Sequence, residues 1–132
     1  MISLTSQWEL LEGCPPELKC ELDRLADKVK QAELDTWMYL VHLQAPDLLG
    51  TDGNPIEPPP PPIPLSQQTT VTFIEVYANA QAFSRHVKGE VFQTFLKDYG
   101  KYFKQDPDNP GWPITHNGYY TRASGFIRHQ AE

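Results

Sequence analysis

Five consecutive prolines, Pro58–Pro62 in the stretch IEPPPPPIPL, constrain this chain more than any other feature. Proline has no N–H to give a sheet ladder, and its ring holds the backbone near polyproline II, so no strand can run through this stretch. Residues 46–68 therefore read as a long, semi-rigid connection across the surface, with strands ending before it and starting after it. A connection of that length in a small domain is usually functional or lacks order. The functional version is an arm that packs on another subunit or covers the mouth of a pocket.

The flanks carry alternating periods. Ile2, Leu4, Ser6, Trp8 and Leu10 share one side of a half-buried strand, with Ser3, Thr5, Gln7 and Glu9 on the other. Gly13 breaks this pattern, and Pro15 and Pro16 suit the first turn of a helix, where a missing N–H costs nothing. Leu18, Leu22, Leu25, Ala26 and Val29 then form an apolar stripe on an otherwise charged helix. Thr36–Gln44, TWMYLVHLQ, is apolar on both alternating faces, as in a strand covered on each side. Trp37, Tyr39, Val41 and Leu43 are expected to face one way, and Met38, Leu40, His42 and Gln44 the other.

Beyond the prolines, Thr70–Tyr77 is the next strand, with Val71, Phe73, Glu75 and Tyr77 on one face. Asn79 is a good helix N-cap. Phe83, Val87, Phe92, Phe95, Tyr99 and Phe103 follow at near-helical spacing with a slip at Gly89, which predicts two helical pieces with a kink. Lys104–Gly118 reads as a loop, and Tyr119–His129 as a last strand weakened by Gly125. The order β-α-β-β-α-β is the ferredoxin-like arrangement, an α+β fold with an antiparallel sheet.

The chain of 132 residues is read as one domain, 1–132, with the proline-rich insertion at about 46–68. A net charge of -6 argues against nucleic acid as a partner. No run of about 18 apolar residues exists to span a membrane, and MISLTSQWELLEG lacks the basic and apolar regions of a signal peptide. The expectation is a cytoplasmic protein. Cys14 and Cys20 would project about 240° apart around a helix, so both are read as reduced. His42, His86, His116 and His129 show no zinc-type spacing, and no metal is expected. No G-x-S-x-G, phosphate loop or paired-carboxylate spacing supports acyl transfer, phosphoryl transfer or glycosidase chemistry.

Among the remaining polar groups, His86 could act as a base, since an imidazole in general titrates near neutral pH. It falls about 60° round the helix from Phe83, on the flank of the buried stripe, where a half-buried histidine anchoring a backbone carbonyl is the alternative. Tyr77 could orient a substrate oxygen or be core. Glu75 shares its face, and an unpaired buried carboxylate is costly, so a salt bridge with Arg85 or Arg122 is expected. Trp37, Tyr39 and Phe73 are core or pocket wall. His42 is read as structural, and Arg122 and Arg128 as balancing surface charge.

The residues TWMYLVH and FIEVYANAQAFSRHV, with Phe92 and Phe95 beyond, resemble the antibiotic biosynthesis monooxygenase family of dimeric α+β barrels. Glu75, Tyr77, Phe83, His86, Phe92 and Phe95 match its aromatic-x-Glu-x-aromatic strand end and following helix. The resemblance implies a homodimer whose two sheets close into a barrel, which would cover the second face of Thr36–Gln44. It implies a pocket in each protomer; some members oxidise phenolic or anthrone-like polyketides with O₂ and no metal or flavin, while others degrade haem, isomerise small molecules or have no known reaction. No cofactor is expected here, with His86 and Tyr77 as the candidate catalytic residues. Phe73, Glu75, Trp37, Tyr39, Phe83 and Phe95 would bind substrate. Haem-degrading relatives carry a Trp, a His and an Asn where this chain has Tyr77, Leu96 and about Gln7, which disfavours that activity. Many members have a second His where this chain has Val91.

The expected function is cofactor-independent oxidation of an aromatic or polyketide-like small molecule with O₂, a monooxygenase-type reaction of secondary metabolism. Two alternatives stand beside it. One is a cyclase or isomerase moving protons in the same pocket; the other is a non-catalytic binding or interaction protein using the proline-rich loop.

Overall fold

The alternating N-terminal stretch forms strand β1 (Ile2–Glu9), and the helix predicted behind Pro15 and Pro16 is α1 (Glu17–Ala32), in a computed structural model that describes residues 1–128. β2 (Thr36–Leu43), β3 (Thr70–Tyr77), α2 (Ala80–Lys88), α3 (Glu90–Tyr99) and β4 (Thr115–Tyr120) follow. The strands make one antiparallel sheet in the order β2-β3-β1-β4. This is the ferredoxin-like α+β fold, with the helices on one face of the sheet.

Local chemistry explains the elements. Leu18, Leu22, Leu25 and Val29 of α1 are all buried, and each such side chain stabilises by roughly 1.5–3 kcal/mol relative to exposure. Asn79 caps α2, its Oδ1 accepting from the Ala82 N–H at 2.9 Å. At Gly89 an added Cβ would sit 2.6 Å from the Arg85 carbonyl oxygen, so only glycine permits the close turn that separates α2 from α3. The core between helices and sheet centres on Trp8, whose ring lies 4.8 Å from Phe73 and 5.1 Å from Phe103.

Two boundaries differ from expectation. The last strand is Thr115–Tyr120 rather than Tyr119–His129, pairing Ser6 with Asn117 and Ser3 with Tyr120; His129 lies outside the described residues. β4 is an edge strand whose ladder uses backbone groups, so THNGYY needed no apolar alternation to join it. In β2 a bulge between Thr36 and Met38 turns Trp37 out of the pleat, where it is 61% exposed rather than facing with Tyr39. Beyond the bulge the expected faces hold. Tyr39, Val41 and Leu43 pack toward the core, while Leu40 and His42 lie exposed on the open face.

The proline-rich connection is pinned at its base. The Gln68 amide donates to the carbonyls of Gln44 (2.9 Å) and Ile63 (3.2 Å), and its Oε1 accepts from the Gln44 N–H at 2.8 Å. Pro60 and Ile63 are partly buried and the prolines around them exposed, a spacing of three that fits polyproline II. Among the described residues no helix is long and apolar enough to cross a membrane.

Candidate active site

The register of the sheet lays out a polar site on its helix-facing side. Tyr39 pairs with Glu75, Glu75 with Leu4, and Leu4 with Tyr119; one row along, Val41, Phe73, Ser6 and Asn117 pair across the same strands. Helix α2 lies over this side and lowers His86 onto it. Between them is a pocket of about 390 Å³. Tyr39, Glu75 and His86 form one end, Ser6 and Asn117 the other, with Phe73, Phe83, Phe92 and Trp112 as aromatic walls. The proline-rich segment contributes no wall, so the expectation that it covers this pocket is not met.

His86 is 2% exposed, not half-buried on the flank as expected, because the Gly89 turn folds α3 against it and brings Phe92 to 4.9 Å. Its Nδ1 lies 2.8 Å from Glu33 Oε1, which also accepts from Thr36 Oγ1 at 3.0 Å. An ionised carboxylate can only accept, so a bond to it takes the proton on Nδ1 and leaves Nε2 its lone pair. Nε2 is 3.8 Å from Glu75 Oε1, and that oxygen accepts from the Tyr77 hydroxyl at 2.7 Å. Glu75 thus meets Tyr77 and His86, and neither Arg85 nor Arg122. Arg85 donates to Asp35 at 2.7 Å, and Arg122 is exposed.

Burial pushes the Glu75 carboxyl up from its ordinary range, against the opposing pull of the Tyr77 hydroxyl and His86. Burial, reinforced by Glu75, also holds the Tyr39 and Tyr77 hydroxyls well above the usual phenol range. Both stay protonated and can donate. Tyr77 spends its proton on Glu75, whereas the buried Tyr39 hydroxyl has no partner. At the far end the Trp8 indole N–H donates to Ser6 Oγ at 2.8 Å, and Ser6 donates to Asn117 Oδ1 at 2.6 Å.

The structure therefore gathers His86, Glu75, Tyr39, Phe73 and Phe83 around one cavity and separates three expected neighbours from it. Tyr77 is fully enclosed behind the pocket wall, its hydroxyl bonded to Glu75. Phe95 packs with Trp8, Tyr99 and Phe103 in the core, because α3 turns it toward α1. Trp37 is carried outside by the bulge. Nothing in the sequence singles out Glu33 or Asn117: Glu33 follows a charged helix as any surface carboxylate might, and Asn117 falls in a stretch that reads as a loop. Among the described residues no group of three or more His, Cys, Asp or Glu side chains is placed to hold a metal ion.

The fold is one shared with solved proteins named antibiotic biosynthesis monooxygenases. A Deinococcus radiodurans protein named as a candidate antibiotic biosynthesis monooxygenase superposes with a TM-score of 0.61 at 13% identity, covering 98% of this chain and 100% of its own. A Pseudomonas aeruginosa protein gives 0.60 at 18% identity over 93% and 94%. A further structure named antibiotic biosynthesis monooxygenase gives 0.52 at 13% identity over 94% and 100%. At these identities the likeness is one of fold. No family model and no curated protein matches the sequence.

Proposed function

We propose that this chain is a cofactor-independent oxygenase acting on a flat, aromatic or polyketide-like small molecule. The observation that carries the reading is the Tyr39 hydroxyl, a buried donor without a partner, in the same pocket as an imidazole whose free nitrogen is Nε2. A buried polar group left unpaired costs stability, and a substrate oxygen would satisfy this one. His86 Nε2 takes a proton from a phenol or an activated CH, and Tyr39 donates to the oxygen where charge develops. The resulting anion reduces O₂ directly. For a CH₂ group the proton returns to the peroxide and water leaves, so CH₂ and O₂ become C=O and H₂O without an external reductant. Aromatic walls suit such a substrate, and the names of fold neighbours favour this chemistry.

Oxygen uptake with a panel of anthrones and phenols, set beside product analysis in air and under nitrogen, tests the reading. Uptake matched by carbonyl product supports it. Turnover that persists under nitrogen transfers the pocket to a cyclase or isomerase. Saturable binding with no product from any substrate overturns catalysis altogether.

We also propose a homodimer formed through the open face of the sheet, where Met38, Leu40 and Ile74 line up without cover from the helices. An obligate interface of this kind buries above about 2,000 Å² in total. A monodisperse monomer by light scattering at micromolar concentration would count decisively against it.

A further inference from the structure

Glu33 stands outside the pocket yet bonds the imidazole that lines it. It is the residue that ends α1, and its backbone is tied on both sides: its N–H donates to the Val29 carbonyl at 2.9 Å, and its carbonyl accepts from the Thr36 N–H at 3.1 Å. Its carboxylate is 17% exposed and borders clefts on the outer surface of the α1–β2 turn. A single oxygen, Oε1, receives both Thr36 Oγ1–H and His86 Nδ1–H. The carboxylate is thus oriented by Thr36 and fed from the solvent side, while the ring it holds faces the substrate cavity.

The two carboxylates near His86 are not equivalent. Glu33 is within hydrogen-bond distance of the ring and partly open to solvent. Glu75 is at 3.8 Å, beyond a hydrogen bond, and its burial favours the neutral form. Glu33 is therefore the group that can select the ring tautomer. An acceptor at Nδ1 leaves Nε2 bare toward the pocket, and the same acceptor stabilises the imidazolium once Nε2 has taken a proton.

We propose that Glu33 is a positioning residue that fixes His86 as the Nδ1–H tautomer and stabilises its protonated form, so that Nε2 serves as the base. The proposal rests on the reading of His86 as that base. Helix α2 does not depend on this contact alone, since Arg85 bonds Asp35 of the same turn at 2.7 Å. Loss of the Glu33 carboxylate should leave the helix docked.

Ring ¹⁵N NMR of His86, followed across pH in the full chain without substrate, tests the tautomer directly. The titratable groups facing the ring are Glu33 from the end of α1, Tyr39 from β2, and Glu75 and Tyr77 from β3, so the same titration is run in Glu33→Ala and Glu33→Asp. The expected result is Nδ1–H in the wild type above the ring's own titration, a shift toward Nε2–H and a lower titration midpoint in Glu33→Ala, and recovery of both in Glu33→Asp. Turnover should follow, with kcat falling roughly 10- to 100-fold in Glu33→Ala, the worth of a hydrogen bond to a charged group, and KM unchanged. A wild-type ring protonated at Nε2, or an unchanged tautomer in Glu33→Ala, overturns the role of Glu33. Full turnover in His86→Ala would sink the base reading separately, whatever the tautomer.

Discussion

Helices α2 and α3 meet at Gly89, and a buried ring from each, His86 and Phe95, sits in different surroundings. His86 is 2% exposed and lies among Glu33, Glu75 and two tyrosines; Phe95 is 4% exposed and lies among Trp8, Tyr99 and Phe103. Equal burial therefore does not mean equal role. The sheet beneath supplies the difference. The Tyr39–Glu75 row places hydroxyl and carboxyl under α2, while the row of Val71 and Trp8 gives the core an apolar floor. One end gathers polar groups around a cavity, and the other excludes water.

Phe95→Ala should draw the sharpest contrast. The cavity it leaves should cost roughly 3–5 kcal/mol in urea unfolding, with turnover per folded molecule unchanged. Loss of turnover at temperatures where the variant is fully folded would break the separation of the two ends. His86→Ala should lower turnover by about 10²-fold or more. Because the ring is enclosed and bonded, the variant should also lose roughly 1–3 kcal/mol of stability; kinetics and denaturation on the same sample measure both. If stability falls while the folded remainder works normally, His86 is a structural pin and both ends are core.

Tyr39→Phe should reduce turnover about tenfold, the worth of one hydrogen bond, and leave stability unchanged or slightly higher because an unpaired buried hydroxyl is gone. A clear drop in melting temperature would mean that the hydroxyl has a partner after all. The smallest effect concerns Glu75. Its folded pKa is raised, so the folded state binds that proton more tightly than the unfolded chain does. Its contribution to stability is fully present below the ordinary carboxylate range and is lost as pH rises through the raised value. Urea unfolding of wild type and Glu75→Gln across that window should show the variant gaining on the wild type as pH rises. A gain that grows as pH falls would reverse the assignment.

Much of the polar end was visible in the chain. Glu75 and Tyr77 on one face of a strand, and a histidine in the helix that follows, were enough to name the candidates. Their partners were not. Glu33 closes a helix of ordinary surface charges 53 residues before His86, and nothing in the run QAELD distinguishes it from Glu21. An unbroken alternation would face Trp37 with Tyr39, and a continuous stripe would align Phe95 with Phe83 and Phe92. A one-residue bulge and the turn at Gly89 moved them out of line.

The sequence by itself determined what depends on neighbours along the chain: the period-two strands, the α1 stripe, the Asn79 cap, the break at Gly89 and the exclusion of the prolines from the sheet. These follow from backbone sterics and side-chain spacing within a few residues. Tertiary structure alone decided which carboxylate meets the imidazole, that β4 is built from Thr115–Tyr120, and that Tyr39 ends without a partner. Hydrogen bonds between distant segments depend on register and helix placement to within an ångström, and that precision arises only when the sheet and helices pack together.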